Sequence, residues 1–140
     1  MTGTLIPWIA LLFAAASVTY AIRTHRFDAN TNRSEFLLQL HRVFFFDETY
    51  RPIRRLLDDS GDHTREQLQT AIREESQELT DFLNFFELVA YFEANDTLRS
   101  NDVQALLGYY LGLLKADSEV LHYVTSNGKS FEYLSGLLGR

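Results

Sequence analysis

The sequence predicts an all-α protein: a single N-terminal transmembrane helix followed by a small cytosolic helical bundle. Three observations predict it. Leu5 to Ile22 is an uncharged, mainly apolar run of 18 residues. Beyond that run, apolar residues recur at helical spacing and no stretch alternates as a strand does. With 2 Pro and 7 Gly in 140 residues, little interrupts long helices. The expected organisation is a transmembrane helix with its basic flank over 1–26, a hinge over 27–33 and a helical domain over 34–140.

As a helix the first segment spans ~27 Å, close to the ~30 Å of a hydrocarbon core. Pro7 falls in its opening turns, and Trp8 and Tyr20 lie near its two ends, as interfacial aromatics do. A cleaved signal peptide is the rival reading, with Ala14, Ala15 and Ala16 as small residues for cleavage. Such a signal needs positive charge before its apolar core, and here Arg23, His25 and Arg26 come after it. By the positive-inside rule those charges put the N-terminus outside and the domain in the cytosol. Anionic lipid head groups are their expected contacts.

Gly3, Pro7, Ala10, Ala14, Ser17, Ala21 and Thr24 follow a 4-3 spacing, which on a helix is one face without large side chains. Small faces let membrane helices approach closely. The expected packing or pore face is therefore Ala10, Ala14, Ser17, Ala21 and Thr24, in a homo-oligomer. Chance is the competing explanation, because Ala is common in such helices.

The domain reads as successive helices. Phe36, Leu37, Leu40, Val43 and Phe44 form the first apolar stripe, with Thr31 or Ser34 as its cap. Asp47 is the expected cap of the next helix, which carries Pro52 in its opening turns and Ile53, Leu56 and Leu57 inward. Ser60-Gly61-Asp62 is a break. A long helix from Arg65 to Ala94 is expected, opened by a Thr64/Gln67 capping box and most apolar over Phe82–Phe92. Further helices follow over Asn101–Leu114, over Ser118–Val124 up to Asn127-Gly128, and around Phe131–Leu138.

The strings FLLQLHRVFF (Phe36–Phe45), YRPIRRLL (Tyr50–Leu57), FLNFFELVA (Phe82–Ala90) and LLGYYLGLL (Leu106–Leu114) resemble an uncharacterised bacterial family, a domain of unknown function. The resemblance runs from about Asn32 to Leu138. It implies one N-terminal membrane helix joined to a compact helical domain, in the bacterial inner membrane, and carries no catalytic residues with it. In architecture alone, the chain also resembles small membrane effectors of bacterial anti-phage defence.

Composition narrows the chemistry. With 0 Cys there are no disulfides, thiolate metal sites or cysteine nucleophiles. A net charge of -6 argues against stable duplex nucleic-acid binding. No metal site is expected, because His25, His41, His63 and His122 have no partners at ligand spacing. No catalytic residue, no cofactor and no enzyme activity is expected, since neither a phosphate-cradling Gly loop nor a nucleophile elbow is present. Arg51, Arg54 and Arg55 are the candidate patch for a phosphate-bearing small molecule or oligonucleotide signal, with salt bridges to the acidic helix as the plainer reading. Glu87, inside the most apolar stretch, is expected to be a buried structural charge paired with an Arg of the Tyr50–Leu57 helix. The aromatic excess, with Tyr109 and Tyr110, suits a core plus a subunit interface.

Two functional expectations follow. One is a homo-oligomeric membrane effector or sensor that assembles through its helical domain and opens a pore or perturbs the membrane. The other is a membrane-tethered module that recruits a partner to the inner leaflet without a pore.

Overall fold

The computed structural model of the protein describes residues 32–140. The expected membrane segment, its small-residue face (Ala10, Ala14, Ser17, Ala21, Thr24) and the expected Thr31 cap lie outside the described residues. Among the described residues all regular structure is helical, with no strand, so the protein is all-α. No helix among them is long and apolar enough to cross a membrane. The chain divides into two units, Met1–Leu38 and Gln39–Arg140. The described part of the first, residues 32–38, is helical throughout. The last two residues of the expected 27–33 hinge are therefore helix.

The second unit opens with helix α1 over residues 39–46, followed by α2 (Arg51–Asp58), α3 (Asp62–Arg73), α4 (Gln77–Ala94), α5 (Ser100–Ala116), α6 (Ser118–Ser126) and α7 (Glu132–Leu138). In this part of α1, Leu40 and Phe44 are buried four residues apart. Val43, expected on the same stripe, is 44% exposed, so the buried face is narrower than the periodicity suggests.

Asp47 does not cap α2. Its carboxylate accepts the Thr49 amide at 2.9 Å and closes a turn of its own. Tyr50 holds the N-cap position without a side-chain bond, and Pro52 lies at the start of the helix, where no N–H is missed.

The largest difference from expectation is at Glu74–Ser76. The single helix expected over Arg65–Ala94 is two, α3 and α4. Glu75 sits at φ 49, in the left-handed region, which stops α3. The Ser76 hydroxyl then accepts the Leu79 amide at 3.2 Å and starts α4. The expected Thr64/Gln67 box does not form either. α3 begins three residues earlier, at Asp62 after Gly61. Thr64 is a buried residue within it, and Gln67 turns to His63 at 3.2 Å.

α4 is the axis of this unit and packs against α2, α3, α5 and, most extensively, α7. Its buried side chains are Leu79, Phe82, Leu83, Phe85, Phe86, Val89, Ala90 and Glu93. Phe44 enters this cluster from α1, with ring centroids 5.0 Å from Phe85, 5.4 Å from Phe86 and 5.7 Å from Phe82. Tyr110 of α5 meets the same ring edge-on at 5.0 Å. Full burial of each such ring contributes roughly 1.5–3 kcal/mol, with edge-to-face contacts adding to it. The α5–α6 corner is closed by Asp117, whose carboxylate accepts the Glu119 and Val120 amides, each at 3.0 Å. Leu134, Leu137 and Leu138 of α7 complete the core.

Candidate functional site: the basic aromatic corner between α1 and α2

Residues Arg42 to Arg55 make one corner where α1 ends and α2 begins. The α1 side ends in Phe44-Phe45-Phe46, and a helix cannot bury three consecutive residues. Phe44 turns fully inward, Phe45 is half-buried, and Phe46 is 74% exposed. His41 lies against the Phe45 ring at 4.6 Å and the Phe46 ring at 6.2 Å. The aromatic surface continues through Tyr110, 6.2 Å from Phe45, to Tyr109, which is 62% exposed on α5.

The three arginines singled out from sequence all lie here, but they do different things. Arg54 is structural. It donates to the Phe44 carbonyl at the end of α1, and its guanidinium lies over the Phe44 ring at 5.4 Å and the Phe45 ring at 5.8 Å. Arg51 forms a two-pronged pair with Glu48 at 2.7 and 2.8 Å. Arg55 is exposed, as is Arg42 on the α1 side. The carboxyl of Glu48 is held below the usual carboxylate range, first by its hydrogen bond from Arg51 and then by the fields of Arg51, Arg55 and Arg54. The Asp47 carboxyl is lowered by hydrogen bonds from Thr49, with Arg54 adding to it. The corner thus gathers positive charge around a short acidic turn whose two carboxylates are already engaged.

Glu87 has a different partner from the one expected. It is half-buried, and no Arg of α2 reaches it. Its two oxygens accept the Tyr133 and Leu134 amides at 3.1 and 2.7 Å. It caps α7 from a different helix, because Phe131 at the N-cap offers no side-chain bond. The buried carboxylate is Glu93, 8% exposed, which meets the Arg140 guanidinium through two bonds of 3.1 and 2.9 Å. Nothing in the local sequence marks that pair. Asp58 likewise accepts the Tyr110 hydroxyl at 3.0 Å, and burial together with this bond pushes Tyr110 up to about 12.

Among the described residues one Ser–His contact exists, on α6. Ser126 Oγ is 3.4 Å from His122 Nε2, in an open cleft of about 500 Å³ also lined by Glu75 and Tyr123. Glu119, the carboxylate one turn before His122, is taken by Gln69 of α3 at 2.7 Å. Among the described residues no carboxylate is hydrogen-bonded to His122, as the orienting acid of a nucleophilic triad would be. Among the described residues no group of three or more His, Asp or Glu side chains is placed to hold a metal ion.

A second exposed apolar surface lies on the α4–α7 side, where Leu88, Tyr91 and Tyr133 are exposed and the two tyrosine rings meet edge-on at 5.2 Å. The exposure of Phe46 and Tyr91 could not be told from that of core aromatics by spacing, since each follows directly on aromatic or apolar residues of a buried face. No protein-family model matches the chain, and comparison with curated proteins and with solved structures finds no match.

Proposed function

We propose that the protein is a single-pass membrane protein of the bacterial inner membrane whose cytosolic helical domain is an assembly module, forming a homo-oligomer. One observation carries the reading. An 18-residue uncharged apolar run closed by Arg23, His25 and Arg26 leads into a helical domain whose most exposed large apolar side chains are aromatic, Phe46 and Tyr109. The first is the signature of a stop-anchored span. The second is the composition of association surfaces, in which Tyr and Phe are enriched.

In its finer form the protein is a membrane effector or sensor, of the kind used in anti-phage defence. Its membrane helices pack along Ala10, Ala14, Ser17, Ala21 and Thr24, and rearrangement there opens a pore or perturbs the bilayer. A phosphate-bearing small molecule or oligonucleotide bound at Arg51, Arg54 and Arg55 would be its trigger. Arg42, Arg51 and Arg55 are exposed, and Arg42 and Arg55, which hold no ion pair among the described residues, are the guanidiniums that such a ligand meets first.

Mass measurement of the full chain in nanodiscs tests the assembly, and ion flux from liposomes tests the pore. Retention after a carbonate wash, a mass above the monomer, and its collapse on Ala14→Leu with Ser17→Leu are the expected results. Release by carbonate, or a monomer at all concentrations, overturns the reading. A second reading, a tether that recruits a partner protein to the inner leaflet, is favoured by the separate Leu88–Tyr91–Tyr133 surface. It expects no ion flux and partner capture that is lost on Tyr91→Asp.

A further inference from the structure

We propose that the α1–α2 corner is a second membrane contact, seating Phe46 at the interface and the guanidiniums of Arg42 and Arg55 on the phosphates of anionic lipids. The inference deepens the single-pass reading and rests on it. Three observations point the same way.

The first is shape. Phe46 is the most exposed large hydrophobic side chain among the described residues, at 74%. It stands at the last position of α1, next to a turn. A ring protruding from a helix end suits a soft interface into which one side chain wedges.

The second is charge. The corner itself, residues 42–55, carries four arginines against Asp47 and Glu48, whereas residues 59–140 carry six basic and fourteen acidic side chains. The excess of negative charge, net -6 for the whole, therefore belongs to the later helices, and the corner is a positive part of an acidic chain. A negatively charged leaflet attracts the first part and repels the second, which orients the domain with no specific contact.

The third is that the corner is rigid. Arg54 ties α2 to the end of α1 through the Phe44 carbonyl and lies over the Phe44 and Phe45 rings. The acidic side chains that face the arginines are already committed, Asp47 to the Thr49 amide and Glu48 to Arg51. Both carboxylates of the turn are thus engaged, and no ion pair to Arg42 or Arg55 forms among the described residues.

The test uses the full chain carrying Trp8→Phe and Phe46→Trp, so that the sole indole reports from position 46. It is reconstituted in phosphatidylcholine vesicles with or without phosphatidylglycerol, and with or without brominated acyl chains. In anionic vesicles, brominated lipid is expected to quench the indole by more than half. The docked-to-free ratio falls roughly fivefold for each of Arg42→Gln and Arg55→Gln, about one lipid-facing charge each, and it falls again at 1 M salt. Flotation of the same sample reports the anchor separately. A chain that floats but whose indole ignores brominated lipid and is quenched by aqueous acrylamide overturns the corner contact and leaves the span intact. A chain that does not float on anionic vesicles overturns both. An indole shielded from acrylamide but not quenched by brominated lipid, with shielding that grows with protein density, shows a second copy on Phe46 and also overturns it. Displacement of the indole from lipid by a soluble oligonucleotide at physiological salt reassigns the arginines to a free phosphate ligand and overturns the lipid assignment.

Discussion

Removing the Glu87 carboxylate tests whether α7 is held by a cap supplied from another helix. Two charge-assisted bonds, 3.1 Å to the Tyr133 amide and 2.7 Å to the Leu134 amide, end on its two oxygens. A hydrogen bond to a charged group is worth about 1.5–3 kcal/mol when buried, and a helix cap about 1 kcal/mol in an exposed setting. Glu87 is half-buried, so the expected cost of Glu87→Ala is about 2 kcal/mol, with Glu87→Gln near 1 because one acceptor oxygen remains. A domain of this size loses roughly 4–8 °C of Tm per kcal/mol. Thermal melts of the full chain followed by circular dichroism should therefore drop by about 10 °C for Ala and about 5 °C for Gln. Hydrogen exchange localises the effect: protection at Tyr133 and Leu134 should fall more than at α5 or α6, since α7 opens first. Both variants melting within 2 °C of the parent, with α7 amides still protected, would refute the assignment. Loss of protection spread evenly over the domain would refute the idea that the bond acts on α7 alone.

Three further outcomes follow from the packing. Phe44→Ala should cost about 3–5 kcal/mol in denaturant unfolding, because the ring touches three aromatics of α4 and Tyr110, whereas Val43→Ala next to it should stay within about 0.5 kcal/mol. Tyr110 is pushed up to about 12 from an ordinary value near 10, so the folded state holds that proton more tightly than the unfolded chain does. Its contribution is complete below pH 10 and is lost as pH rises from 10 to 12, and Tyr110→Phe should flatten that decline in a pH series of melts. Glu75→Gly should raise stability by about 0.5–1 kcal/mol, since glycine tolerates φ 49 without the Cβ clash; a loss of stability would mean that the Glu75 side chain is itself holding the α3–α4 corner.

Much of the helical domain could be read from residue order because its determinants are local. The inward face of α4 from Phe82 to Ala90, the stop at Asn95-Asp96, and the extent of α5 and α6 follow from periodicity and terminator residues. The α3–α4 break was hidden because no Gly or Pro marks it. A glutamate takes the left-handed position, and the one local sign is Ser76 two residues before Glu78 in the first turn. Side-chain partners distant in sequence were not legible. Glu87 and α7, Glu93 and Arg140, and Asp58 and Tyr110 are each separated by more than forty residues. At the candidate corner the arginines could be found by their density. That Arg54 is engaged with the core while Arg42 and Arg55 face outward depends on how α2 lies against α1, which no pattern of residue types encodes.

The reversal at Glu75 also sets the dimensions of the domain. A continuous rod from Arg65 to Ala94 would measure about 45 Å, while a body of roughly a hundred residues is only some 35 Å across. One end would protrude without neighbours. Breaking the rod gives two shorter cylinders, of 12 and 18 residues, and lets the first of them pack on α2 and α6. A single unfavourable torsion is in this way exchanged for the lateral coverage of two helices.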